Sequence, residues 1–188
     1  MDSVSICNMA LMMLGMNRIT NFEEENNNAK LCKQFFPILR DRVLRDHTWS
    51  FATAAADLQR VADEESFDPA FPVVCGLPPD VIRVVQLVGN IPYRCVGRKI
   101  FVADYPAKVI YIRRVEDASE FDVTFTEALQ YLLAAEIGMA NTLNTNLINF
   151  YRREYEQRLR VARSIDSAEN VHAHQSGSAK SRWLSARW

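Results

Sequence analysis

The sequence predicts an α+β fold, mainly α: a helical bundle formed from both ends of the chain (1–58 and 115–170), a small antiparallel β insertion (59–114) and an extended C-terminal arm (171–188). Three observations carry that reading. Near both ends apolar residues recur at three- and four-residue spacing. The middle turns to short runs of β-branched residues punctuated by Pro, Asp and Gly. The last 18 residues hold no Asp or Glu and only one Leu and one Val, so they cannot build a core.

The first helix is predicted by Ile6, Met9, Ala10, Met13 and Leu14, with Asp2 or Ser3 to cap its start and Gly15 to stop it. After the polar NFEEENNN, a second stripe follows in Leu31, Phe35, Ile38, Leu39, Val43 and Leu44, and Pro37 should kink that helix or begin its better half. From Trp49 the periodicity changes to an extended segment and then a loop holding the acidic ADEESFD. Trp49 and Phe51, two apart in an extended segment, point to one side and are expected to anchor a core. Strands are predicted in VIRVVQLV after LPPD, in a YRCV–KIFVAD hairpin turning at Gly97 and Arg98, and in KVIYIRRV. The helical period then returns. Ala128, Leu129, Leu132, Leu133, Ala135 and Ile137 give a wide apolar face opened by Thr124 or Thr126. Leu147, Phe150, Tyr151, Tyr155, Leu159 and Ala162 run along a long, charged final helix.

With 188 residues, 48% of them hydrophobic, the chain can bury one real core. Its formal net charge of −1 makes it neither a polycation for nucleic acid nor an acidic mimic. An acidic residue at position 2 and the polar Ser5 and Asn8 argue against a signal peptide. No apolar run is long enough for a membrane helix, so a soluble protein is expected. Cys7, Cys32, Cys75 and Cys95 each sit in apolar company and read as reduced, buried thiols.

A thiol enzyme with His47 as base is disfavoured because no motif surrounds any cysteine. No CxxC or HxxxH pair gives metal-ligand spacing, His172 and His174 make only an HxH, and no Gly-rich phosphate loop exists. No catalytic residue, metal ligand or cofactor is therefore expected. The charged stretches point to contacts instead. RDRVLRDH places Arg40, Arg42, Arg45 and Asp46 on the second helix, where Asp41–Arg45 and Arg42–Asp46 have pairing distance. YRREYEQRLRVAR places Arg152, Arg153 and Arg158 on the last helix. Both stretches suit a polar subunit interface. The alternative is a nucleic-acid-binding module using the arginine helix and basic tail. In the tail, Lys180, Arg182 and Arg187 supply charge while Trp183, Leu184 and Trp188 supply apolar surface that solvent does not favour. These six residues are expected to bind a partner.

Taken in order, ICNMALMMLG, an acidic turn, LCKQFFPILRDRVLRDHTWSFA and GLPPDVIRVVQL resemble the tail tubular protein A and head-to-tail adaptor families of short-tailed bacteriophages. The residues that carry the resemblance are Leu14, Gly15, Leu31, Cys32, Arg40, Asp41, Leu44, Arg45, Trp49, Phe51, Ala52, Leu77, Pro78, Asp80 and Arg83. The resemblance implies a non-catalytic virion protein, made in the host cytoplasm. Its copies would form a homo-oligomeric, usually dodecameric ring beneath the portal protein and meet the tail nozzle or tail tube below. DNA would pass through the channel without sequence-specific binding. The arm would then reach the portal or a neighbouring copy.

Overall fold

A computed structural model describes residues 1–62, 65–141 and 144–175, the last six of these by backbone alone. The chain is α+β and mainly α. It divides into two compact units, one of residues 1–36 and 122–188, the other of Pro37–Phe121.

The first unit is helical. Helix α1 (Ser3–Met13) is opened by the Asp2 carboxylate, which accepts from the Ser5 amide at 2.8 Å. It ends on Gly15 at φ +69°, where the Met16 amide donates to Leu11 and the Gly15 amide to Met12. That double bond pattern requires a left-handed residue, which glycine supplies without steric penalty. Asn8 bonds both the amide and the carbonyl of Ile19 at 2.8 Å, fastening the following loop against the helix. Helix α2 (Asn27–Asp46) contributes its first turns here, and α3 (Val123–Ala140) and α4 (Thr145–Gln175) complete the unit. α3 packs against both α1 and α4. Ile6, Cys7, Leu11, Cys32, Phe125, Leu129 and Leu133 are wholly buried. All six apolar positions expected on α3 are buried, but its cap is Asp122, which accepts from the Thr124 and Phe125 amides, rather than a threonine.

In the second unit, seven strands form two antiparallel sheets. The first has the order β1 (Thr53–Asp57), β7 (Lys108–Arg113), β4 (Val81–Leu87); the second runs β2 (Gln59–Arg60), β3 (Val73–Gly76), β6 (Lys99–Val102), β5 (Tyr93–Val96). Leu58, Cys75, Leu87, Ile100, Val102 and Val109 bring the sheets onto one cluster. The expected hairpin is β5–β6, turning at Gly97 with φ +61°. Register shifts in β4 between Val81 and Arg83 and between Val84 and Gln86 mark two bulges. Trp49 is wholly buried and donates its indole N–H to the Val43 carbonyl at 2.9 Å. Phe51 stacks between Trp49 and Phe121, so the aromatic pair does anchor a core.

Several expectations are corrected. β1 pairs along its whole length with β7, so residues 53–57 belong to the β unit and not to the bundle. Pro37 lies inside α2, which runs from Asn27 to Asp46, so it does not begin a separate helix. The buried apolar residues of α2 are Ala29, Cys32, Phe36, Leu39, Val43 and Leu44, so the last three expected positions hold, while Ile38 is 60% exposed and Leu31 and Phe35 are only partly covered. Leu147 and Phe150 of α4 are likewise exposed. Cys95 is exposed because β5 is the edge strand of its sheet. Helix α4 runs to Gln175, so residues 171–175 are helical rather than extended. The remainder of the expected arm, with Lys180, Arg182, Trp183, Leu184, Arg187 and Trp188, lies outside the described residues.

Candidate functional site

The arginines of α2 have different fates. Arg40 is 7% exposed, and its Nε and Nη2 both meet Asp41 at 2.8 and 2.7 Å. The other Asp41 oxygen accepts from Arg114 Nε at 2.8 Å. Asp41 therefore serves two cations of its own unit instead of Arg45 one turn on, and Arg40 is withdrawn from the surface. Arg42, Arg45 and Asp46 remain exposed.

Arg45 instead turns to the sheet and donates to the Ile82 carbonyl at 2.7 Å. There it joins Arg83 and Arg98 along an open cleft of about 420 Å³, walled also by Leu77, Val84 and Tyr93. Each guanidinium is held at one edge by a neutral acceptor. Arg83 Nη2 donates to Thr48 Oγ1 at 2.9 Å, and Arg98 Nη2 donates to the carbonyls of Pro78 and Pro79 at 2.8 and 3.0 Å. Arg83 Nε is buried with no hydrogen-bond partner. The bulges of β4 flank Arg83, and such irregularities re-aim a side chain relative to regular pleating. No Asp or Glu lines the cleft among the described residues.

Sequence reasoning singled out Arg45 and missed Arg83 and Arg98 as functional groups. A lone arginine within the apolar VIRVVQL run was the available signal. Its convergence with Arg98 depends on strand β4 and a hairpin turn lying side by side, which no local pattern records.

On α4, Arg152 and Arg158 are answered by carboxylates. Arg158 pairs with Glu127 and with Glu154, and its guanidinium lies 5.2 Å from the Tyr131 ring centroid. Arg152 stands 3.6 Å from Glu136, while Arg153 is exposed. The helix nevertheless carries a second apolar row. Ile148, Tyr151, Tyr155, Leu159 and Ala162 face the core, and Tyr151 donates its hydroxyl to the Met13 carbonyl. At 3.6 residues per turn, Leu147 with Phe150 and, farther along, Val161 with Ile165 lie about 100° round from that row, with Glu154 and Arg158 on the same face between the two pairs. They are 36, 52, 49 and 40% exposed.

The Cys7 thiol is driven far above the ordinary range by its hydrogen bond with Cys32 and by burial. Desolvation raises Cys75 and also Cys95, although the latter residue is exposed. His47 lies edge-on to Trp49 with ring centroids 4.9 Å apart. Among the described residues no group of three or more His, Cys, Asp or Glu could hold a metal ion. The side chains of His172 and His174 fall outside the described residues. Among the described residues, no helix is long and apolar enough to cross a membrane. No protein-family model matches the chain, and no curated protein matches it.

Proposed function

We propose that this chain is a structural subunit without catalytic activity, a head-to-tail adaptor whose copies pack side by side into a ring between a portal and a tail tube or nozzle. The observation that carries the proposal is the outer row of α4. A single exposed hydrophobic residue is ordinary, but two exposed apolar pairs on one side of one helix, Leu147 with Phe150 and Val161 with Ile165, divided by the charged Glu154 and Arg158, suit an association surface of mixed character. The occupant we assign to it is a second copy of this chain. The motif order from ICNMALMMLG to GLPPDVIRVVQL supports the same reading through its resemblance to the adaptor families. Arg153, exposed beside Phe150, supplies a polar rim to that apolar row. The nucleic-acid alternative has less support, because Glu127, Glu136 and Glu154 already answer two of the helix's arginines.

The test is sedimentation velocity of the full chain, alone and with isolated portal rings, comparing wild type with Val161→Glu/Ile165→Glu. Wild type is expected to self-associate or to co-sediment with the portal. The exposed double variant should keep its far-UV circular dichroism and lose that association. A wild-type chain that stays monomeric and ignores the portal would sink the proposal.

A further inference from the structure

We propose that the arginine cleft of the β unit is a docking site for an acidic segment of a partner protein, one that carries a leucine-like side chain next to its carboxylates. It rests on the adaptor reading only in supposing that such a partner exists, and it names the chemistry of that partner's contact. Three arginines, Arg45, Arg83 and Arg98, line one concavity whose lining holds no carboxylate among the described residues. Their hydrogen bonds go to carbonyl and hydroxyl oxygens, which orient the groups without an ion pair, although Asp41 and Asp46 share an adjoining concavity with Arg45. Arg83 is pinned at one edge to Thr48. Guanidinium forks bind carboxylates through two parallel hydrogen bonds, so groups already held at one edge lose little freedom on binding.

The walls decide which anion. Leu77, Val84 and Tyr93 give the cleft an apolar side. A sugar–phosphate backbone has nothing to bury there, whereas an aliphatic side chain beside Asp or Glu does. Nor does a chain of net charge −1 present the long-range field that gathers a polyanion.

Fluorescence anisotropy of a labelled peptide with a Glu-Leu-Glu core, titrated with the full chain, tests this. Arg98→Gln alters an exposed side chain and should preserve the fold; Arg83→Lys keeps the charge and loses the fork. We expect the Glu-Leu-Glu peptide to bind and a Gln-Leu-Gln control to bind at least about tenfold more weakly, with a similar loss in Arg98→Gln. Arg83→Lys should weaken binding even though the charge remains. The proposal is overturned if the acidic peptide does not bind, if both arginine variants bind it like wild type, or if duplex DNA competes better than the Gln control through the same arginines. Because the peptide assay needs neither self-association nor a portal, its failure is separable from failure of the ring.

Discussion

At Asp41 one carboxylate answers two guanidinium groups, and the more buried of them, Arg40, depends on it most. Removing one member of a buried pair leaves a charge without compensation, whereas replacing the cation by an apolar side chain leaves none. Asp41→Asn should therefore cost on the order of 3 kcal/mol in urea denaturation, and Arg40→Met clearly less. A larger loss from Arg40→Met would reverse the assignment. The cap at Asp122 gives a pH-dependent case. Burial raises its carboxyl pKa, but hydrogen bonds from Thr124 and Phe125 outweigh burial and hold it below the usual range. A folded pKa below the unfolded one means that this stabilisation is complete above about pH 4 and is lost as pH falls through the folded value. Asn caps nearly as well and does not titrate. The decline in stability below about pH 4 should accordingly be shallower in Asp122→Asn, as followed by thermal melts across acid pH.

Among elements, the β5–β6 hairpin is held by local chemistry that a substitution can probe. Gly97 takes φ +61°, and a Cβ there would meet no atom within 4 Å. Gly97→Ala thus pays only the left-handed backbone penalty, about 1 kcal/mol, and Gly97→Asn less. Chemical denaturation distinguishes this from a steric clash, which would cost more in both. The same hairpin was readable in the sequence, because turn residues and alternation are local signals. So were α1, with its Asp2 start and Gly15 stop, and the wide face of α3. What escaped was nonlocal. β1, in the alanine-rich TAAAD, has no strand signature of its own and exists because β7 offers it a partner. Ile38 and Phe35 fit a helical stripe as well as Cys32 and Phe36 do, and only the arrangement of neighbours selects which row is buried. Arg83 and Arg98 are 15 positions apart in sequence and share a cleft only after the sheets form.

Across the whole molecule, α2 belongs to both units, its residues 27–36 to one and 37–46 to the other. A helix fragment of about ten residues is not stable alone in water. Loss of either unit thus removes support from a helix the other needs, and unfolding is expected to be a single transition. Far-UV circular dichroism and Trp49 fluorescence, the latter with Trp183 and Trp188 replaced by Phe, should give the same urea midpoint. Separate midpoints would show that the units melt independently.

The helical unit is closed by contacts between distant parts of the sequence: Met1 with Gln130, Asn27 with Asn141, Met13 with Tyr151. During synthesis the first helix emerges long before its partners exist. The 138 positions between Met13 and Tyr151 take roughly 7 to 28 s to translate at ordinary ribosome speeds. Until α3 follows, Ile6, Ala10 and Leu11 lack the helix that packs on α1, and by then the β unit, which ends at Phe121, already has its complete sequence outside or within the exit tunnel. The order of assembly is thus written into the order of translation: sheets before bundle, and the chain's first helix among the last elements to find its place.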